Sequence, residues 1–80
     1  MTQNTRPERI AGAKQVLRAV REGRIERVLL ACDVDEYMRA RILTACAGIP
    51  VEEGPSIREM GKMCGISIGT SVIGYCKDTL

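Results

Sequence analysis

Apolar positions along this chain fall into short blocks whose spacing switches between the two-residue period of a strand and the 3.6-residue period of a helix. Arg9-Ile10-Ala11 reads as a short strand ending at Gly12. From Ala13 onward Val16, Leu17 and Val20 recur at helical spacing, and Gly23 stands where a helix stops, so this stretch predicts a helix with those three side chains in the core. Ile25 to Cys32 (IERVLLAC) becomes continuously apolar, as a strand buried on both faces does. Asp33-Val34-Asp35 then offers capping side chains ahead of Met38, Ile42, Leu43 and Cys46, a second helical repeat ending at Gly48. Ile49 to Glu52 predicts a short strand, in which Pro50, having no donor to give the ladder, argues for an edge or first position. Ser56 followed by Glu59 has capping-box spacing and predicts a third helix through Met60 and Met63 to Gly65. Ile66 to Gly69 is a loop, and Ser71 to Cys76 (SVIGYC) is a final strand weakened by Gly74.

Helices and strands alternate with short connections. The expected architecture is a single-domain, three-layer α/β/α sandwich over residues 1–80, around a mixed, mostly buried sheet. Residues 1–8, polar and containing Pro7, are expected to be an extended lead-in. At 80 residues the core is modest, and the balance of 45% hydrophobic to 28% charged residues is that of a soluble globular domain. No apolar run approaches a bilayer span or a signal peptide.

Composition narrows the chemistry. Tyr37 and Tyr75 are the only aromatic residues, which argues against nucleic-acid recognition by stacking bases on an aromatic platform. Histidine is absent, and Cys32, Cys46, Cys64 and Cys76 are 14, 18 and 12 residues apart with no Cys-x-x-Cys pair, which argues against zinc. Each cysteine sits in or at the end of an apolar block, so the four are expected to behave as small buried hydrophobes in a reduced, cytoplasmic protein. The formal net charge of +2 hides a split: residues 1–27 carry seven basic and three acidic side chains, and the rest carry five and seven. A basic lobe favours a polyanionic partner, although a solvated helix face explains the same charges.

Three segments could carry function. Gly12-Ala13-Lys14-Gln15-Val16-Leu17-Arg18 places a glycine at a strand-to-helix junction, with Lys14, Gln15 and Arg18 on the first turns. Its helix-start amides and Arg18 could hold phosphate while Lys14 and Gln15 meet base edges. A polar helix face with a glycine cap is the plainer reading. Gly65-Ile66-Ser67-Ile68-Gly69-Thr70 puts two isoleucines in a loop; alternation sets both on one side, available to a partner, unless Ile66 plugs the core. Asp33 and Asp35 end a buried strand, where α/β folds place ligands, but helix capping accounts for at least one, and no third carboxylate or histidine joins them.

Taken together, IAGAKQVLRAVREGRIERVLLACDVD, SIREMGKMCGIS and the SVIGY ending resemble the kink-turn-binding ribosomal protein family, with its seven-Ae and thirty-e branches. The likeness runs from about Arg9 to Tyr75 and is greatest to the small bacterial seven-Ae-like proteins. It implies an α/β/α sandwich that binds RNA without catalysis, as a monomer and without cofactor or metal. It further implies that Gly12, Ala13, Lys14, Gln15 and Arg18 enter the widened major groove at sheared G·A pairs. Asp35 matches an acidic position beside the extruded bulge nucleotide, and Ile66, Ser67, Ile68, Gly69 and Thr70 match the variable apolar loop that covers the bulge. Lys14-Gln15 stands where many archaeal and eukaryotic relatives carry Asn-Glu, and Glu36 where most have proline. The alternative from another class is a protein-interaction module that uses the loop from Ile66 to Thr70.

Overall fold

All four predicted strands and all three predicted helices form. The computed structural model describes residues 9–77, so the lead-in expected over residues 1–8 lies outside the described residues. In chain order the elements are β1 (Arg9–Ala11), α1 (Ala13–Arg21), β2 (Ile25–Leu30), α2 (Glu36–Ala45), β3 (Val51–Glu53), α3 (Ile57–Met63) and β4 (Val72–Cys76). They build one mixed sheet of order β1-β4-β2-β3, in which β4 is antiparallel to both neighbours and β2 and β3 are parallel.

The two faces of the sheet are covered unequally. Val16 and Ala19 of α1 and Ile42 and Cys46 at α2 pack on Ile25, Val28, Leu30, Val72 and Cys76. On the other face Met60 of α3 packs with Ile73 and Ala31, flanked by Leu29, Ile57 and Tyr75. The result is the expected α/β/α sandwich, with two helices on one side and one on the other. Strict alternation would set Ile25 and Val28 on opposite faces. The pairing with β4 shifts between Ile25 and Arg27, and this extra residue lets both side chains enter the larger core. Gly74 weakens β4 by propensity but is required by packing: a Cβ there would stand 3.0 Å from Ile25 Cδ1 and 3.3 Å from Val16 Cγ1. The glycine therefore lets α1 sit close on the central strand.

Several sequence expectations need adjustment. β2 ends at Leu30, although Ala31 still donates to the Ser71 carbonyl at 2.9 Å. β3 starts at Val51, since Pro50 has no N–H, yet the Pro50 carbonyl accepts from Val28 at 2.9 Å and β3 is the sheet edge. In α1 the fully buried pair is Val16 and Ala19, with Leu17 and Val20 only half-buried at the flank. Leu43, part of the apolar repeat of the second helix, is 47% exposed because the α2 stripe that meets the sheet passes through Met38, Ile42 and Cys46. Of the four cysteines, all of them free, Cys46 and Cys76 are buried, Cys64 is partly so and Cys32 is exposed. Burial pushes the Cys46 thiol pKa up, which disfavours its thiolate.

Truncating Ile42 to alanine empties space at the centre of the larger core and is expected to cost ~2–5 kcal/mol in urea denaturation. Leu17→Ala, at the half-buried flank, is expected to cost only about 1–2 kcal/mol. Equal losses at the two sites would mean that α1 is rotated from the orientation described.

Candidate nucleic-acid interface

The start of α1 differs from the starts of the other two helices. Asp35 caps α2, its Oδ1 accepting from the Met38 amide at 2.8 Å, and Ser56 caps α3, its Oγ accepting from Glu59 at 3.2 Å. Each of those helices also has an acidic residue, Glu36 or Glu59, in its first turn. At α1 the cap is Gly12, which supplies no side-chain acceptor, and the first turn holds no acid. The first intrahelical bond runs from the Val16 amide to the Gly12 carbonyl at 2.9 Å, so the amides of Ala13, Lys14 and Gln15 precede it. Gly12 has φ +103°, a conformation suited to glycine, and its own amide is spent on the Val72 carbonyl at 3.0 Å. The turn is thereby pinned to the central strand with its amides pointing outward from the helix end, toward negative charge.

Three polar side chains surround this end. Lys14, Gln15 and Arg18 are exposed, while Ala13 faces inward against the core. Arg18 Nε lies 4.0 Å from Glu22, with most of the arginine side chain in solvent, and such a contact releases at little cost.

The loop after α3 is shaped by glycine. Ile66 donates to the Gly61 carbonyl at 2.7 Å and Thr70 to the Ile57 carbonyl at 3.1 Å, which folds the loop back along α3. Gly61 is buried against the loop: a Cβ on it would run into Gly69 Cα and the Ile66 carbonyl. Gly69 in turn has φ +90° and passes close to Ile57. This crossing explains why Gly61 and Gly69 are glycines. Ile66 and Ile68 do not share a side, because the loop is not extended: Ile66 is half-buried and Ile68 is 89% exposed. Ser67 is exposed beside it. Thr70 is buried and donates its hydroxyl to the Val72 carbonyl at 3.0 Å, so it anchors the loop to β4 instead of facing a partner.

Both aspartates serve as caps. Asp33 Oδ1 accepts from the Ile57 amide at 2.8 Å, tying the end of β2 to the start of α3 across 24 residues of sequence. Sequence reasoning missed this role; the signal was only a capping-type side chain with no helix directly behind it. Among the described residues no group of three or more cysteines and acids could hold a metal. Strand directions gather the remaining pieces: β1 and β2 end, and β4 begins, at the same end of the sheet's strands. The α1 start, the Asp33–Asp35 turn and the loop 66–70 therefore crowd one end of the molecule.

These features define a small α/β/α domain with a cationic helix start and an apolar, glycine-shaped loop at one end. The chain belongs to the Ribosomal protein L7Ae/L30e/S12e/Gadd45 family, which it matches over residues 3–78. It is 36% identical over 73 residues to an RNA-binding protein of Caldanaerobacter subterraneus, covering 89% of each chain. It is 32% identical to the RNA-binding protein YbxF of Geobacillus stearothermophilus, covering 85% of each. Among solved structures, the 15.5 kD RNA-binding protein of Giardia lamblia superposes with a TM-score of 0.77 at 29% identity, over 86% of this chain and 60% of that one.

Gly61→Ala is expected to cost ~1–3 kcal/mol, because the new methyl meets backbone and not a movable side chain. Amide chemical shifts should change across residues 66–70 and stay fixed in α2. A variant with unperturbed loop shifts would show that the Gly61–Gly69 contact does not set the loop.

Proposed function

We propose that this protein is a non-enzymatic RNA-binding protein that recognises and stabilises kink-turn RNA, in which sheared G·A pairs adjoin a bulge that bends the duplex. The observation that carries this reading is the uncapped, acid-free start of α1, with Lys14, Gln15 and Arg18 exposed around it. A regular A-form duplex hides its major groove from side chains, so a helix start can read base edges only where the duplex is distorted. In the proposed complex Gly12 and Ala13 bring the backbone close, the free amides and Arg18 meet phosphate, and Lys14 and Gln15 face the G·A edges. Asp35 keeps one carboxylate oxygen on its own helix and turns the other to the extruded nucleotide. Ile68, with Ser67 and Gly69, lies over the bulge, and Ile66 and Thr70 hold that loop in place. The family match and the relatives named as RNA-binding proteins support this assignment.

The protein is proposed to act as a monomer in the cytoplasm, with no membrane partner; no helix among the described residues is long and apolar enough to cross a membrane. A protein-interaction module using the Ile66 to Thr70 loop would bind with little salt dependence. Kink-turn binding should weaken steeply as salt rises.

The direct test is titration of a kink-turn duplex against the same duplex with its G·A pairs replaced by Watson–Crick pairs. Binding without preference for the first would reject the proposal.

Arg18→Ala should weaken binding to every kink-turn and reduce the slope of log affinity against log salt by about one, through one lost phosphate contact. Its thermal stability should hardly move, since the side chain is mostly in solvent.

Gln15→Ala should cost ~1–3 kcal/mol of preference for sheared G·A pairs and leave the salt slope intact. Full discrimination in Gln15→Ala would shift the reading role to the loop at Ile68.

A further inference from the structure

On the helical face of the sandwich, α1 and α2 lie side by side and leave a groove of ≈ 340 Å³ lined by Leu17, Val20, Arg21, Arg41 and Ala45. Both helices run back from the same end of the sheet's strands, because β1 and β2 are each antiparallel to β4. The groove is therefore bounded by two roughly parallel helices, about 13–15 Å long at 1.5 Å per residue. Its floor is apolar and its rim is cationic. One turn before Arg41, on the same stripe of α2, Tyr37 is 74% exposed.

Among the described residues the two rim arginines make no ion pair, as Arg58 on α3 makes none, whereas four other arginines do and Arg9 donates to the Met63 carbonyl at 2.7 Å. Glu22 pairs with Arg18 and Arg24, Glu52 with Arg27, and Glu53 with Arg39. Among the described residues neither Arg21 nor Arg41 has a carboxylate within reach. An apolar floor between unpaired arginines, with an exposed tyrosine alongside, is the composition of a protein-binding surface.

We propose that this groove docks a short acidic amphipathic helix of a partner protein. Its aliphatic side chains enter between Leu17, Val20 and Ala45, and its carboxylates meet Arg21 and Arg41. The apolar floor decides against RNA, since a phosphate backbone gains nothing from leucine, valine and alanine. A second copy of this chain is a poor match: the outward residues of α3 mix Arg58 and Lys62 with Glu59, so they form no acidic face. The groove is lined by the middle and C-terminal turns of α1 and α2, whereas the candidate RNA interface, Arg18 excepted, uses their N-terminal turns and the loop 66–70. The proposal stands whether or not the RNA reading does, and the two partners could be held together.

The test uses the full-length ¹⁵N-labelled protein and a synthetic helix of roughly 14 residues, capped at both ends, with leucines at i, i+3 and i+7 and flanking glutamates. Saturable amide shifts are expected along residues 17–21 and 37–45. The Arg21→Glu, Arg41→Glu double variant should bind about tenfold more weakly, as should a peptide with glutamine for glutamate. Both arginines are exposed, so the variant should keep its circular dichroism melt. No saturable shifts, shifts confined to residues 66–70, or equal affinity for the glutamine peptide would each overturn the proposal. Two further measurements separate the other occupants. Sedimentation should show a single chain, and Arg41→Ala should leave the salt slope of kink-turn binding unchanged; an arginine-dependent dimer, or a slope reduced by about one, would assign the groove to a second copy or to RNA and end the proposal.

Discussion

The sheet depends on β4, the last strand in sequence and one of the two central strands in space. It bonds to β1 on one side and to β2 on the other, and four of its five residues are buried. Val72 and Cys76 enter the core beneath α1 and α2, Ile73 enters the core beneath α3, and Gly74 admits α1. Without β4 neither β1 nor β2 has its antiparallel partner, and the two hydrophobic layers have no common floor. The same strand organises the candidate site, because the Val72 carbonyl accepts both the Gly12 amide and the Thr70 hydroxyl. One carbonyl thus fixes the helix start and the loop against each other.

The three helix starts are completed in different ways. At α2 and α3 an oxygen side chain and an acid satisfy the first turn locally, and Asp33 adds a tie from β2 to α3. At α1 neither device is present, and the exposed residues are a lysine, a glutamine and an arginine. A helix start with glycine at its cap and no acid in its first turn is less favourable by itself, by about a few tenths of a kcal/mol for the cap and ~0.3–1 kcal/mol for the missing acid. That deficit is compensated here by the Gly12 bond to β4 and by Val16 and Ala19 in the core. The helix is held from behind, which leaves its front free for a ligand.

Much of this was legible in the sequence because the period of apolar residues reports which elements exist. The strand at Ile25, the capped helices after Asp35 and Ser56, and the glycine entry to α1 all follow from local pattern. What the pattern missed is tertiary. Leu43 keeps helical spacing with Ile42's neighbours, yet only one stripe of α2 can meet the sheet. Ile66 and Ile68 obey strand alternation in a segment that is not a strand, so one turns inward and the other outward. The hydrogen bond from Ile57 to Asp33 spans a distance in sequence that no periodicity reaches. In the candidate site, the exposure of Lys14, Gln15 and Arg18 followed from helical phase, but the anchoring of Thr70 did not.

The position of β4 also sets an order of events during synthesis. Chains emerge from the ribosome N-terminal end first, and α1, β2 and α2 are complete long before residue 72 appears. Until then β1 and β2 present unpaired edges, a state open to pairing with other chains. The nascent protein consequently passes through an interval in which the α1 segment has been synthesised but lacks the carbonyl that orients its start, and nine residues make a marginal helix without that support. Assembly of the candidate interface and pairing of β1 and β2 with β4 are therefore a single late step.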